Sequence, residues 1–191
     1  MSKKQNIIQA ATRLFAEQSF EGTTTLQIAN EAGVTEPLIY YHFKGKDDLF
    51  SHILETSFKE YFSSLEALEK HTGSQFKRIE ALLDFHFQFV EEMPDETYIG
   101  VSACPAKLRD PEHICTKNIQ RQRDRLKTYF TDCLRKGIKS GEFNRVPVPG
   151  TVDLLIAMIN GLTRQRALHL EEKNGMRDVT VDFCRRSLVK N

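Results

Sequence analysis

Between Thr23 and Phe50 the chain reads T-T-T-L-Q-I-A-N-E-A-G-V-T-E-P-L-I-Y-Y-H-F-K-G-K-D-D-L-F. That stretch holds start signals for three helices and stop signals for two. Thr23-Thr24-Thr25 offers N-caps, and Thr24 with Gln27 fits the capping-box spacing, in which each side chain satisfies the other's free backbone N–H. Gly33 stops this short helix, because glycine alone enters the left-handed region without steric cost. Thr35-Glu36-Pro37 opens the next helix with a cap, an acid at the positive helix end, and a proline where a missing N–H costs little. Gly45 ends it, and Asp47 and Asp48 sit in the first turn of a further helix. Helices this short, this close and with so tight a turn between them fold as a helix-turn-helix.

Periodicity sorts the faces. Ile28, Ala29 and Ala32 are small or apolar and let the two helices cross closely, while Val34 plugs the turn. Ile39 and Phe43 lie one helical turn apart and point inward. That leaves Thr35, Glu36, Pro37, Leu38, Tyr40, Tyr41 and His42 on or near the outer face. Adjacent tyrosines and a histidine are poor choices for plain solvent exposure. They suit contacts to phosphate, sugar and thymine methyl groups.

The rest of the chain is predicted to be helical. Ile7, Ile8, Ala11, Leu14 and Phe15 form one stripe of a first helix that ends near Ser19. The fourth helix carries Leu49, Phe50, Ile53, Leu54, Phe58, Phe62 and Leu65. Residues 74–93 are apolar on nearly every side, the mark of a helix at the centre of a bundle. Met93-Pro94-Asp95 breaks it, and a short helix is expected over 98–108. Long helices are expected over 112–139 and 151–172, with a proline-containing loop over 141–150 between them, and a last helix over 176–189. No run of alternating strand residues and no internal repeat interrupts this pattern.

Ala32-Gly33-Val34-Thr35, followed by Ile39-Tyr40-Tyr41-His42-Phe43-Lys44-Gly45-Lys46, resembles the signature of the TetR family of bacterial transcriptional regulators. Ala11-x-x-Leu14-Phe15-Ala16 and Phe20-Glu21-Gly22-Thr23-Thr24 match it too. The resemblance covers roughly the first 50 residues. It implies an all-α protein: a three-helix DNA-binding domain over 1–46 and a helical ligand-binding and dimerisation domain over 47–191. It implies a homodimer, a duplex DNA operator, and a small-molecule effector whose binding changes the separation of the DNA-reading heads. Repression is the usual sign.

Residue by residue, the resemblance gives Thr24 and Thr25 a phosphate contact and puts Thr35, Glu36, Pro37 and Leu38 where base edges are read. Tyr40, Tyr41 and His42 become backbone clamps with some base contact. Lys46 is given a phosphate, with Lys44 as helper. Glu36 departs from the family pattern. An acid facing DNA repels phosphate unless it accepts from cytosine N4, so Glu36 is expected to read a cytosine or to swing aside.

Effector candidates are the apolar walls Phe85, Phe89, Tyr98, Tyr129 and Met158. Added to them are polar residues within or beside apolar stripes: His86, Gln122, Asn160 and Arg164. Each of these is expected to find either a ligand or a neighbour. The resemblance makes Val152, Leu155, Ile156, Ile159, Val179, Phe183 and Leu188 dimer candidates, against the alternative of intrachain core.

Composition narrows the alternatives. Lys plus Arg number 27 and Asp plus Glu 26, a net charge of +1. Residues 1–50 hold five cations against six acids, so affinity for DNA must come from placed groups, not bulk charge. The longest apolar run, Leu154 to Ile159, is far below the roughly 20 residues of a membrane helix, and no secretory segment opens the chain, so a cytoplasmic protein is expected. Cys104, Cys115, Cys133 and Cys184 have no C-x-x-C spacing and are expected to be reduced thiols. His113-x-Cys115 places its two side chains about 200° apart on a helix, poor geometry for one ion. No metal, cofactor or catalytic motif is found. A thiol-sensing regulator of the same fold and a helical adaptor that does not bind DNA are the competing readings.

Overall fold

The computed structural model describes residues 2–70, 73–102, 110–169 and 175–190. These form helices α1 (Lys3–Gly22), α2 (Thr25–Glu31), α3 (Glu36–His42), α4 (Lys46–Glu69), α5 (Gln75–Glu92), α6 (Pro94–Ser102), α7 (Ile114–Ser140), α8 (Val148–Ala167) and α9 (Met176–Leu188). Among the described residues one isolated antiparallel bridge joins Phe143 to Val189.

The chain divides by its contacts into two units: Met1–Glu60 with Met93–Asn118, and Tyr61–Glu92 with Ile119–Asn191. The division expected after residue 46 is drawn on function, and the contacts group the helices differently. α4 is one uninterrupted helix through that point, and α6 packs against α1, so the first unit recruits a helix from much later in the chain. α6 also begins at Pro94, not near Tyr98. Proline ends the preceding helix but is well tolerated in the first turn of the next, and the rest of the stretch expected to be helical lies outside the described residues. By the same logic Pro149 sits inside the first turn of α8, which starts within the expected loop.

In the first unit, Ile7, Ala11, Ile28, Ile39 and Leu49 are fully buried. The rings of Phe15, Phe20 and Phe50 close a triangle with centroids 4.9–5.7 Å apart, in the edge and tilted geometries that aromatic quadrupoles favour. Ser19 has φ 67° and ψ 164°. The regular part of α1 therefore stops where the sequence placed its end, and a last turn runs on to Gly22.

In the second unit, α5 is the central helix, burying Phe76, Ile79, Leu82, Leu83, Phe85, Phe87 and Val90 and packing against α8 and α9. Its N-terminus is capped from a distance. The Glu142 carboxylate accepts from the Gln75 and Phe76 N–H groups, both at 2.8 Å, satisfying two free donors with a negative charge at the positive helix end. Arg177 of α9 grips Asp84 of α5 through two bonds of 2.8 Å. The chain's last described residues return to the same corner, where Lys190 N–H donates to the Glu142 carbonyl.

Two expectations fail here. Val152, Leu155, Ile156, Ile159 and Leu188 are buried in the protomer itself, so they have no free surface to give a second copy. Their apolar stripe reads the same for an inner as for an outer face. Cys115 is disulfide-bonded, not reduced, because pairing depends on tertiary proximity that spacing along the chain does not encode. Cys133 and Cys184 are free and buried, and burial pushes both thiols up to about 11. Cys104 lies outside the described residues.

Gly137 of α7 faces the Phe143 ring so closely that a Cβ there would stand 2.2 Å from a ring carbon. Gly137→Ala must push Phe143 out of its seat, and overpacking of this kind costs about 1–3 kcal/mol. Thermal unfolding of the variant is expected to show a lowered midpoint.

Candidate nucleic-acid interface

The turn between α2 and α3 is built by backbone chemistry. Gly33 takes φ 62°. Its N–H donates to the Asn30 carbonyl at 3.2 Å, and the Val34 N–H to the Ala29 carbonyl at 3.0 Å. This 5→2 and 6→1 pair is a Schellman motif, which uses up the last carbonyls of α2 and turns the chain sharply. At the other end, Thr24 and Gln27 form the expected capping box: Gln27 N–H donates to Thr24 Oγ1 at 3.2 Å, and Thr24 N–H to Gln27 Oε1 at 2.8 Å. Thr35 occupies the N-cap position of α3 but makes no side-chain cap bond, leaving its hydroxyl exposed.

Ile39 and Phe43 turn inward and are buried. Tyr41 is 80% exposed and Tyr40 55% exposed, which is costly for aromatic rings unless something covers them. The His42 ring sits edge-on to Tyr41, 4.9 Å between centroids. Thr24, Pro37 and Lys44 are exposed and Leu38 half-buried. Leu26, 55% exposed beside Thr25, joins this surface although sequence reasoning passed over it. Its only signal was an apolar residue off the buried Ile28–Ala29 stripe.

Glu36 is half-buried and bonded within the chain. The Thr25 hydroxyl donates to its carboxylate at 2.5 Å, and the Tyr40 hydroxyl lies 3.4 Å from the same Thr25 oxygen. The acid is thus tied across the seam between α2 and α3. Lys46 is also engaged within the chain. Its ammonium donates to the Phe20 and Thr23 carbonyls at 2.8 and 2.9 Å and stands 4.4 Å from the Phe20 ring centroid.

The effector candidates scatter. Phe85, His86 and Phe89 converge on a residue the sequence reading missed, Tyr61. Its ring lies 5.2–5.7 Å from all three. Leu82 offers only a carbonyl, so His86 Nδ1 donates to it at 2.8 Å, and Nε2 accepts from the Tyr61 hydroxyl at 3.1 Å. Gln122 stands near the Tyr61 hydroxyl. The polar groups on this path are partners of one another. Tyr129 is occupied elsewhere, donating to the Arg78 carbonyl at 2.9 Å with the Arg78 guanidinium against its ring. Asn160 and Arg164 are exposed on α8, and Met158 is half-exposed. Gln122 and Asn160 share the lining of an open groove of about 290 Å³ between α7 and α8. Tyr98 belongs to the first unit. Among the described residues no cluster of His, Cys, Asp or Glu is placed to hold a metal ion, and no helix is long and apolar enough to cross a membrane.

Burial holds His86 neutral and lowers its pKa to about 4. An unfolded histidine titrates near 6.5. Between those values the unfolded chain binds a proton that the folded chain refuses, so stability falls as pH drops through that window. Denaturant titrations at pH 7 and pH 5 are expected to show this loss, and His86→Gln is expected to shrink it.

Comparison with known proteins agrees with the geometry. The model of "Bacterial regulatory proteins, tetR family" matches residues 7–53. The uncharacterized HTH-type transcriptional regulator YfiR of Bacillus subtilis is 26% identical over 179 residues, 90% of this chain and 82% of the relative. The HTH-type transcriptional regulator AcrR of Shigella flexneri is 50% identical over 54 residues, 28% of this chain and 25% of the relative. Among solved structures, the ketosteroid transcriptional regulator KstR2 of Mycobacterium tuberculosis superposes with a TM-score of 0.82 at 20% identity, over 100% of this chain and 96% of that one. A Schellman-turned helix pair with exposed tyrosines lies inside the matched region, and the protein is a DNA-binding transcriptional regulator whose residues 7–53 match the tetR family model.

Proposed function

We propose that the chain works in the cytoplasm as a homodimeric repressor and by binding alone, without catalysis. Two copies of α3 enter successive major grooves of a quasi-palindromic operator, about one helical turn apart. Thr35, Pro37, Leu38, Tyr40, Tyr41 and His42 meet the duplex, and Thr24, Thr25 and Lys44 support them at the backbone. The observation that carries this reading is the pair of exposed tyrosines on a helix whose other face is fully anchored.

The proposed dimer surface lies on α8 and α9. Leu154, Val179 and Phe183 are 61%, 65% and 56% exposed, and isolated protomers do not usually leave so much apolar area in water. Val179 and Phe183 were sequence candidates. Leu154 replaces the five residues that the core claims.

A small, largely apolar effector is proposed to bind in the second unit around Tyr61, Phe85, His86, Phe89 and Gln122. The hollow that His86 lines with Leu83, Phe87 and Ile159 measures about 10 Å³, room for one water at most. An effector that favours a more open bundle shifts the population away from DNA as far as its preference for that form allows.

One experiment joins the two surfaces. Binding to duplex DNA enriched from a random-sequence pool is expected to weaken steeply with salt, the log–log slope reporting about 0.9 per phosphate contacted. Phe183→Asp is expected to turn the sedimenting species into a monomer and to weaken DNA binding by roughly 30-fold, the equivalent of one 2 kcal/mol interface anchor. Salt-insensitive binding, or an unchanged dimer, contradicts the respective half of the proposal.

A further inference from the structure

We propose that the seam between α5 and α8 takes an apolar molecule with a carboxylate head, that Arg166 is the counter-ion of that head, and that Glu91 is the built-in carboxylate it replaces; the inference rests on the effector reading above. The hollow in the seam is walled by Leu83 and Val90 of α5 and by Ile159 and Leu162 of α8. His86 and Arg166 also line it. His86 is buried, already bonded to Tyr61 and the Leu82 carbonyl, and held uncharged. Among the described residues of this lining, Arg166 alone therefore carries a charge at neutral pH. Arg164, the sequence candidate for an anion, is exposed on α8 and lies off the lining.

Arg166 is built to hold a carboxylate. Its side chain is only 23% exposed, and its guanidinium stands 5.6 Å from the centroid of the Phe87 ring. A planar guanidinium on an aromatic face keeps its N–H fork aligned for a carboxylate. Glu91 of α5 occupies that fork now, and it is a weak occupant. It lies in the last turn of α5, where the helix dipole disfavours an acid. Its side chain is 59% exposed, and exposed ion pairs contribute little. A ligand carboxylate offers Arg166 the same chemistry and adds the burial of an apolar body, which Glu91 cannot supply. The Arg166–Glu91 pair also joins α8 to α5 across the hollow of about 10 Å³. Replacing Glu91 therefore removes a cross-link between the two helices at the place where the seam must widen to take the ligand.

The test is calorimetric titration of the full chain, without DNA, using decanoate, decan-1-ol and decyltrimethylammonium below their micelle concentrations. Wild type is expected to bind decanoate about 10-fold more tightly than decan-1-ol, the scale of one charge-assisted hydrogen bond. Arg166→Gln brings the acid down to the affinity of the alcohol and leaves the alcohol unchanged. Glu91→Gln tightens decanoate by about 3-fold, the scale of an exposed ion pair, and again leaves the alcohol unchanged. A purely structural ion pair predicts the opposite, weaker binding of both probes, so this variant decides the matter even if Arg166→Gln fails to fold. The proposal is overturned if wild type binds acid and alcohol alike, prefers the cation, or binds none of the three saturably. It is also overturned if Arg166→Gln keeps the preference for the acid. Fluorescence anisotropy of a selected duplex separates the site from the effector reading. Decanoate that releases the duplex from wild type but not from Arg166→Gln supports both. Decanoate that binds with the expected preference and leaves the duplex bound supports the site and removes the effector reading.

Discussion

Two helices of seven residues each do not persist in water on their own, because nucleation costs more than so few hydrogen bonds return. α2 and α3 exist only because their ends are fixed by something else. The capping box at Thr24 starts α2, the Schellman motif at Gly33 ends it, and Ile28 and Ile39 are each fully buried in the core of the first unit. Everything proposed for DNA reading depends on this anchoring. α3 can present Tyr40 and Tyr41 to a duplex because its opposite face has no freedom to move.

The second unit solves a different problem. α5 is apolar on nearly every side, yet it carries His86 and Arg78 into the interior. His86 is accommodated by two hydrogen bonds, one from the Tyr61 hydroxyl and one to the Leu82 carbonyl. Arg78 is held by Asp132 at 2.9 Å. The Arg78 Nε is left buried without a partner, but a polar pair bonded as Tyr61 and His86 are favours one arrangement of the bundle over looser ones. They also give an effector something to displace, since opening the bundle means breaking a defined set of bonds instead of sliding along a smooth apolar wall.

Much of the first unit was legible in the sequence because its signals are local. Caps, turn glycine and inward stripe all act within four or five residues, so Thr24, Gln27, Gly33, Ile39 and Phe43 declared their roles in order. What was not legible depends on distance along the chain. Tyr61 meets His86 across 25 residues, Glu142 caps α5 across 66, and Lys46 reaches back 23 to Thr23. The same limit explains the dimer residues. Val152 and Phe183 are both apolar on helical stripes, and only packing reveals that the first is interior and the second exposed. The negative balance of residues 1–50 fits this picture. Lys46 and Glu36 each bond within the chain, and geometry must supply what bulk charge does not.

Hydroxyl-radical footprinting of the full chain on a selected duplex tests the central claim most directly. The account predicts two protected patches on one face of the DNA, about one helical turn apart centre to centre, each fading together as salt rises. A single patch, protection spread evenly along the duplex, or no protection at any salt concentration would contradict it.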